Sequence, residues 1–577
     1  MSRRSHRVFG IVLLAMVWAL AACAPAAPPR TQPADSEGGE RPAAASRTLV
    51  MAVNTEVSTL SPKMLGPTNP ERTTRIFSAG LSLVDARGEV RPYIAEALPQ
   101  LNSDTWHVFP DGRMETTWRL RPGLAWHDGT PLTAEDFTFA FRVYTSPLGV
   151  FSAKPQDLMA QVVARDPTTL VITWSRSYPE AAQLTSTEFG PLPRHLLESE
   201  FAAYEQDPTT RDLFLARRYW TTEFVGNGPF RLTAWEAGAH MEGIAFDAHP
   251  LGRPKIDRVM IRFIMDDNVA FTNLLAESVH LSMIQLLPFE QGLLLEREWA
   301  SNRRGVVIYQ ATSTMNVAIQ HRPEYGHRAL ADLRVRRALA HGIDREGLNE
   351  ALFSGKGPIV HSFVAPEAPI YPEVDRALVK YLYDPRRLEA LMIEAGFRRD
   401  REGLFANEAG ERFSLPYWVT YSTQLERQLA IMTDTWRQAG VEVQPYVIPG
   451  AQARDNQVRS TFPGLLGHGV SPATTSALET FSSDQIGSPS TRWGGQNRGG
   501  WSNHEYDRLL GAYSSTLDRA ARNQHAVTMF RLMSEEVANY PLFRDLGTIV
   551  HLSIVKGPTG QVPEGLAHWN IHEWEIS

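Results

Sequence analysis

Apolar residues recur along the chain with the two spacings that mark strands and helices. Residues 49–54 and 116–120 each predict a short strand. Thr133 and Asp136 form a variant of the capping-box pattern, which predicts that a helix begins there. The following apolar positions fall on one face of that helix, namely Phe137, Ala140, Phe141 and Tyr144. The first part of the chain is therefore expected to contain both kinds of element.

The second half of the chain shows a strand, a helix and another strand in succession. Residues 413–421 predict the first strand and residues 441–448 the second, and the face of the helix between them carries Leu425, Leu429, Met432 and Trp436. An earlier helix begins at Asp384-Pro385, because proline is favoured at the first helical position, and ends at Gly396. Strands joined through helices by short connections are typical of parallel sheets, so the predicted fold class is α/β.

The first residues have the pattern of a secretory signal. An apolar run over residues 8–22 follows four basic residues, Arg3, Arg4, His6 and Arg7. The run of about 15 residues is shorter than the ~20 that a membrane-spanning helix needs, so we predict a signal peptide over residues 1–22. It ends in Leu20-Ala21-Ala22-Cys23, which resembles the lipobox of bacterial lipoproteins, where the cysteine is acylated and becomes the new N-terminus. The alternative is an ordinary cleavage that leaves Cys23 free or removes it.

Cys23 is the only cysteine of the chain, so the folded part contains no disulfide. Residues 23–47 have no aromatic side chain and no aliphatic one larger than alanine, which predicts a flexible linker with a reach of roughly 25–30 Å. The resemblance to lipoproteins implies that an acylated Cys23 inserts in a lipid bilayer. The expected location is extracytoplasmic, anchored to the outer face of the cell membrane or in the periplasm.

Charge and length narrow the choice of function. The chain has 57 basic and 64 acidic residues, a net charge of −7, and about −10 once residues 1–22 with their three arginines are removed. It carries no basic patch, so we expect no nucleic-acid partner. The part beyond the linker is long enough for two or three packed regions. No nucleophile elbow, zinc-protease motif, phosphate-binding loop or paired-cysteine motif is present, so we expect no catalytic residue, no metal site and no cofactor.

The stretch from Trp118 to Ala140 has the sharpest pattern in the chain. Its characteristic positions are Trp118, Leu120, Arg121, Gly123, Trp126, Asp128, Gly129, Pro131, Leu132, Thr133, Ala134, Asp136, Phe139 and Ala140. In this spacing they resemble a signature of the bacterial extracellular solute-binding proteins of family 5, the dipeptide-, oligopeptide- and nickel-binding components of ABC transporters. Later motifs of that family are resembled by residues 225–230, 332–345, 436–443 and 501–510. The resemblance covers residues 48–577.

The resemblance implies a two-lobed periplasmic-binding-protein fold of the large cluster C type. By this likeness, lobe I comprises residues 48–305 and 540–577, with an extra subdomain inserted at about 92–219, and lobe II comprises residues 306–539. In the family, the lobes close over a ligand, and an ABC permease in the membrane recognises the closed form. The implied protein is a monomer that captures a peptide-like or other small polar solute for an ABC importer. A ligand sensor for a membrane signalling receptor and a secreted hydrolase are the alternatives.

One difference from the family leaves the identity of the ligand undetermined. Its peptide-binding members hold the free amine of the peptide with an aspartate, whereas the corresponding residues 463–474 of this chain contain no acid. A buried ammonium group needs an anionic partner, which argues against the usual peptide mode. The alternatives are a peptide held by another acid such as Glu56, a neutral solute such as a saccharide, and a small metabolite or chelated metal.

Seven residues are the candidate ligand contacts implied by the resemblance. Thr55 and Glu56 follow the first strand, Tyr421 ends a later strand, and His468 and Ser471 lie in the segment without an acid. The aromatic faces of two tryptophans near the ligand cavity of the family would suit sugar rings or apolar groups, Trp493 and Trp501. For the histidine the alternative is a solvent-facing side chain, and for the tryptophans it is ordinary packing.

Overall fold

The computed structural model describes residues 47–61, 63–64, 71–148, 154–283, 286–471, 473–560 and 567–577. The predicted signal peptide, Cys23 and all but the last residue of the predicted linker lie outside the described residues. Within the described ranges, no helix is both long and apolar enough to cross a bilayer.

Strands and helices are interspersed through the first half of the chain. Its helices are α1 Glu71–Phe77, α2 Ala134–Thr145, α3 Ser186–Phe189, α4 Arg194–Gln206, α5 Arg211–Leu215, α6 Asp267–Leu275 and α7 Phe289–Trp299. Its strands are β1 Thr48–Val53, β2 Ser82–Val84, β3 Val90–Pro92, β4 Trp106–Val108, β5 Met114–Arg119, β6 Met159–Asp166, β7 Thr169–Trp174, β8 Phe230–Glu236, β9 His240–Ala245, β10 Arg258–Phe263 and β11 Leu281–Ser282.

The second half has more helix and two long strands. Its helices are α8 Leu333–His341, α9 Arg345–Phe353, α10 Tyr371–Ala377, α11 Pro385–Glu394, α12 Thr423–Gln438, α13 Asn456–Ser460, α14 Thr474–Thr480, α15 His504–Ser515 and α16 Arg519–Glu535. Its strands are β12 Gly305–Ile319, β13 Arg398–Arg399, β14 Phe405–Ala406, β15 Ser414–Thr420, β16 Glu442–Ile448, β17 Leu465–Val470, β18 Asn539–Leu552, β19 Val555–Lys556 and β20 Glu575–Ile576.

The elements predicted from local patterns are present at their expected positions. The backbone N–H of Thr133 donates to Asp136 Oδ2 at 2.8 Å, so the predicted capping box begins α2. Asp384 accepts from the backbone N–H groups of the first turn of α11, behind the proline at the first helical position. Strand β15, helix α12 and strand β16 follow one another as expected, and Trp436 of α12 is fully buried.

The main sheet is mixed, which corrects the expectation of a parallel one. Its strand order among the described residues is β16-β15-β17-β12-β18-β11-β1-β10-β9-β8. Strand β1 is parallel to β10 and β11, and β15 is parallel to β16 and β17. The other neighbours are antiparallel. Parallel pairing, as expected for strands joined through helices, is therefore confined to two parts of the sheet. The antiparallel pairs come from hairpins and from the long strand β18.

A second, smaller sheet of order β4-β5-β7-β6 belongs to the first half of the chain. One large hydrophobic core joins this sheet to β1, β8, β9, β10 and the C-terminal residues, and it includes Trp118, Trp174 and Trp574. Another core surrounds β15 and α12 and includes Trp436 and Tyr417. The positions of the lobe boundaries stay a prediction.

Candidate functional site

The strands β12 and β18 connect the two halves of the main sheet. At one end of the pair, Leu281 of β11 pairs with His551 of β18, which pairs with Val306 of β12. At the other end, Val470 of β17 pairs with Thr314 of β12. The first half of the chain therefore contacts one end of these long strands and the second half contacts the other.

In both halves, the carboxyl ends of the parallel strands lie level with the middle of β12. Strand β1 runs in the direction of β12, because it is parallel to β11 and two antiparallel steps relate β11 to β12. Strand β17 runs against β12, so its carboxyl end faces that of β1. Ligands of α/β proteins bind outside the carboxyl ends of strands, so the residues that follow β1, β10, β15 and β17 form the candidate site.

Two adjacent charged residues, one buried and one half-buried, lie at the middle of the long strands. The side chain of Arg544 is 4% exposed, and its Nη2 donates to the backbone oxygens of Ala311 at 3.1 Å and Thr312 at 2.7 Å. These bonds fix the irregular backbone between Ala311 and Thr314, where the pairing register shifts. The next residue, Asp545, accepts from Gln424 Nε2 at 2.7 Å, and burial raises the pKa of its carboxyl. Sequence reasoning missed both residues, although adjacent charges within an apolar strand are an unusual pattern.

The residues after β1 have partners within the first half of the chain. Glu56 accepts hydrogen bonds from Trp235 Nε1 at 2.6 Å and from the backbone N–H of Gly238 at 2.9 Å. Both carboxylate oxygens are thus engaged by the β8–β9 hairpin. The neighbouring Thr55 is exposed, and its hydroxyl lies 3.3 Å from Asn54 Oδ1.

Large apolar side chains are exposed at the strand ends of both halves. Tyr421 follows β15 and is 71% exposed, and Met265 follows β10 and is 88% exposed. Ser471, directly after β17, is exposed as well. An exposed apolar group near polar ones is typical of a contact surface, so these positions suit contact with a ligand. Met265 was not predicted from the sequence.

His468 lies within β17 and is buried. Its ring Nδ1 is 3.1 Å from the backbone oxygen of Gly469, and Asn316 Nδ2 donates to the backbone oxygen of His468 at 2.9 Å. Burial, and then the positive charges of Arg498 and Arg459, lower the pKa of His468 to about 3. The imidazole is therefore neutral at neutral pH.

The two predicted tryptophans differ in their surroundings. Trp501 is 3% exposed, donates from Nε1 to Glu536 Oε2 at 2.9 Å and packs edge-on against Tyr506. These are the contacts of a core residue. Trp493 is half-buried and packs edge-on against Tyr325 with 6.0 Å between ring centroids. Trp493 is the one of the two with surface left for a ligand.

Polar contacts also join residues 154–180 to the second half of the chain. Glu180 bonds to Arg522 and accepts from Thr475 Oγ1 at 3.3 Å. Lys154 Nζ lies 2.8 Å from Glu479 Oε1. These contacts bring residues 154–180 against α14 and α16. No cluster of three or more histidine, cysteine, aspartate or glutamate side chains suited to a metal ion occurs in the described ranges.

Comparison with known proteins gives matches over most of the chain. Residues 96–488 match the family model described as bacterial extracellular solute-binding proteins, family 5 Middle. Protein XP55 of Streptomyces lividans is 30% identical over 451 residues, 77% of this chain and 73% of the relative. The oligopeptide-binding protein AppA of Bacillus subtilis is 21% identical over 476 residues, 79% of this chain and 78% of the relative. The crystal structure of NikZ from Campylobacter jejuni in complex with Ni(L-His) has a TM-score of 0.72 at 20% identity, and covers 92% of this chain and 99% of NikZ.

Proposed function

The chain belongs to family 5 of the bacterial extracellular solute-binding proteins and has their two-lobed α/β fold, and we propose that it captures a small polar or peptide-like solute for an ABC importer. In this proposal the protein binds its solute without chemical turnover. The lobes close over the solute, and the permease of the importer accepts the closed form.

The observation that carries this proposal is the convergence of the strand ends. The carboxyl ends of β1 and β17 face each other across the middle of β12 and β18. A solute between them would contact residues of both halves. We propose lobe I as residues 48–305 and 540–577, with the inserted subdomain at about 92–219, and lobe II as residues 306–539. With these bounds, the contacts of Glu180 and Lys154 with the second half are contacts between lobes that favour the closed form.

Free dipeptides are expected to bind weakly. Residues 463–474, which resemble the segment where the family's peptide-binding members have an aspartate, contain no acid, and Glu56 already accepts two hydrogen bonds. A peptide ammonium group would therefore be buried without an acid prepared for it, at a cost of several kcal/mol. The similar proteins include an oligopeptide-binding protein and a protein solved with a nickel–histidine chelate. Peptides and metal chelates are therefore both candidates for the solute.

Native mass spectrometry of the purified protein tests the proposed function. We expect an adduct of small-molecule mass that is released intact on denaturation and that binds again to the emptied protein. Calorimetry with di- and tripeptides should give affinities weaker than about 1 µM. Tight binding across the peptide panel would contradict the ligand argument, whereas conversion of the bound molecule would contradict the proposal of a binding protein.

Replacing Cys23 with serine should release the protein from the membrane. We propose that Cys23 is acylated and that two or more acyl chains hold the protein to the bilayer, where a single chain is marginal. The Cys23→Ser variant should appear in the soluble extracytoplasmic fraction, whereas the wild type sediments with membranes. Its affinity for the solute should be unchanged, because every candidate ligand contact lies at Thr55 or later in the chain. A variant that stays in the membrane fraction after a carbonate wash would contradict the lipid anchor.

A further inference from the structure

Buried polar atoms without hydrogen-bond partners lie on one face of β12 and β17. Thr314 and Asn316 of β12 lie on this face with His468 of β17, because directly paired residues of antiparallel strands point to the same side. Thr314 Oγ1 and Asn316 Oδ1 are both buried and have no hydrogen-bond partner in the described part of the molecule. Buried polar atoms are nearly always bonded in folded proteins, so this face lacks an expected partner.

The guanidinium of Arg498 is also buried without a full set of hydrogen-bond partners. The residue is 4% exposed, and its Nε and Nη1 have no hydrogen-bond partner among the described residues. Its Nη2 contacts Gln496 Oε1 at 3.3 Å. Burial, and then the charge of Arg459, lower the pKa of Arg498 to about 10, which leaves the guanidinium positive at neutral pH. An unpaired buried charge is strongly destabilising, so a complementary anion is the expected occupant of the space beside it.

A second cation and a hydroxyl accompany Arg498. Arg459 is half-buried, and its Nε is buried without a partner in the described ranges, as is the Oγ of the next residue, Ser460. Gln320 Nε2 donates to the backbone oxygen of Ser460 at 3.0 Å, and the backbone N–H of the next residue, His321, donates to that of Gly499 at 2.8 Å. The segments with Arg459 and Arg498 therefore lie together at the end of β12. Within the described residues, neither arginine forms an ion pair with a carboxylate. The cluster thus offers several N–H donors and a hydroxyl to a single anion.

The surrounding contacts hold this cluster in a fixed position. Asn497 Nδ2 donates to three backbone oxygens, and the shortest of these bonds goes to Trp501 at 2.8 Å. The guanidinium of Arg322 donates to the backbone oxygen of Arg498 at 2.9 Å and also to that of Ser460. The loop with Arg498 and the end of α13 are thereby joined through one side chain. Such preorganisation lowers the entropic cost of binding.

We infer that Arg498 and Arg459 bind an anionic group of the solute, a carboxylate or a phosphate. The inference rests on the proposed binding function and adds the chemical class of the solute. The cluster lies at the end of β12, the strand whose middle carries the candidate site, because Gln320 and His321 directly follow β12 and bond to the backbones of Ser460 and Gly499. A guanidinium presents two parallel N–H groups, the geometry that carboxylate and phosphate oxygens match, and Ser460 Oγ can donate a further bond.

Thermal unfolding with acetate, inorganic phosphate and neutral acetamide tests the inference. The sodium salts are compared with sodium chloride at equal ionic strength, so that screening is the same in each sample. We expect a saturable rise of the melting temperature with acetate or phosphate and none with acetamide. A response to acetate alone assigns a carboxylate solute, and a response to phosphate alone assigns a phosphorylated one.

Substitutions then assign the effect to the cluster. Arg498→Gln should weaken anion binding about 30-fold or more, and Arg459→Gln should weaken it as well. Arg498→Lys keeps the charge but loses the paired N–H groups, so intermediate binding is expected. Arg401→Gln is the matched control, because Arg401 is exposed in a turn between β13 and β14, and its anion response should equal that of the wild type.

The ligand-free stability of Arg498→Gln provides a second readout. A buried arginine without an anion lowers the free energy of unfolding of the ligand-free protein. The melting temperature of Arg498→Gln should therefore equal or exceed that of Arg401→Gln. A fall of several degrees, an anion response that survives in both Arg498→Gln and Arg459→Gln, or no response in the wild type would overturn the inference. A neutral solute that co-purifies and binds both variants equally would also overturn it, while leaving the proposed binding function intact.

Discussion

Acidification from about pH 7.5 to about pH 5.5 is expected to remove at least about 5 kcal/mol of folding free energy. Four buried histidines account for this amount, with pKa values of about 4 for His127 and about 3 for His249, His468 and His568, and the half-buried His321 and His361, with pKa values of about 4, add to the loss. Burial is the largest cause in each of the four, because the charged imidazolium is poorly solvated in the protein interior.

The sign of the effect follows from where the protons bind. In the unfolded chain these imidazoles have the ordinary pKa of 6.5 and take up protons below it, whereas in the folded protein they stay neutral. Stability is therefore full above pH 6.5 and falls as the pH drops toward the folded values. Each histidine contributes a loss of about 1.4 kcal/mol at one pH unit below 6.5. Asp136 and Asp545 act in the opposite direction, because burial raises the pKa of their carboxyl groups.

Melting temperatures measured by calorimetry between about pH 7.5 and pH 5.5 check this expectation. For a chain of this length the loss corresponds to about 5 °C. His568→Leu should remove about 1.4 kcal/mol of the pH-dependent loss, since His568 is 1% exposed and neither ring nitrogen has a partner among the described residues. The exposed His504 provides the control variant His504→Leu, whose pH dependence should match the wild type. Equal melting temperatures across this pH range would contradict the argument.

The local elements could be predicted because their causes lie within a few residues of one another. The capping box of Thr133 and Asp136 and the helix start at Pro385 each depend on side chains that bond to their own turn. The strands β15 and β16 followed from apolar spacing in the same way. The family likewise could be identified from one stretch with fixed spacing, and the two-lobed α/β fold is confirmed.

The site could be predicted only in part, because it depends on contacts between distant segments. The sequence offers Glu56 as an acid for a ligand, but its partner Trp235 lies 179 residues away. Arg498 belongs to a glycine-rich segment that gives no sign of burial, and its neighbour Arg459 comes from a separate helix end. The mixed sheet was missed for the same reason, since the pairing of β12 with β18 joins residues more than 200 positions apart. The spacing of apolar and polar residues along the chain does not indicate which distant strands pair with each other.

Replacing Arg322 with alanine should destabilise the protein by about 4 kcal/mol and abolish solute binding. Its Nε donates to Gln320 Oε1 at 3.0 Å and its Nη1 to the backbone oxygen of Gly487 at 3.0 Å. Its Nη2 reaches the backbone oxygens of Ser460 and Arg498. One side chain thus joins three segments, and its removal takes the donor from the backbone oxygens of Gly487 and Arg498, whereas the backbone oxygen of Ser460 keeps Gln320 Nε2.

The fit around Arg322 shows that no smaller cation can replace it fully. A side chain at Gly500 would lie 2.7 Å from the Arg322 side chain, and Gly500 has a φ of +70°, so the loop passes closely over the guanidinium. The guanidinium also lies 5.0 Å from the ring centre of Tyr325. Arg322→Lys keeps a charge but has fewer donors in a fixed plane, so we expect it to restore less than half of the lost stability.

Urea unfolding and solute binding, measured on the same variants, separate the two consequences. Arg437→Ala is the control, because Arg437 is exposed near the end of α12, and it should change the free energy of unfolding by less than about 0.5 kcal/mol. Below the unfolding transition, Arg322→Ala should stay folded yet lose the co-purifying solute, since the segments with Arg498 and Ser460 are no longer joined. A loss of stability below about 1 kcal/mol, or retention of the solute at wild-type affinity, would show that these segments hold their positions without Arg322.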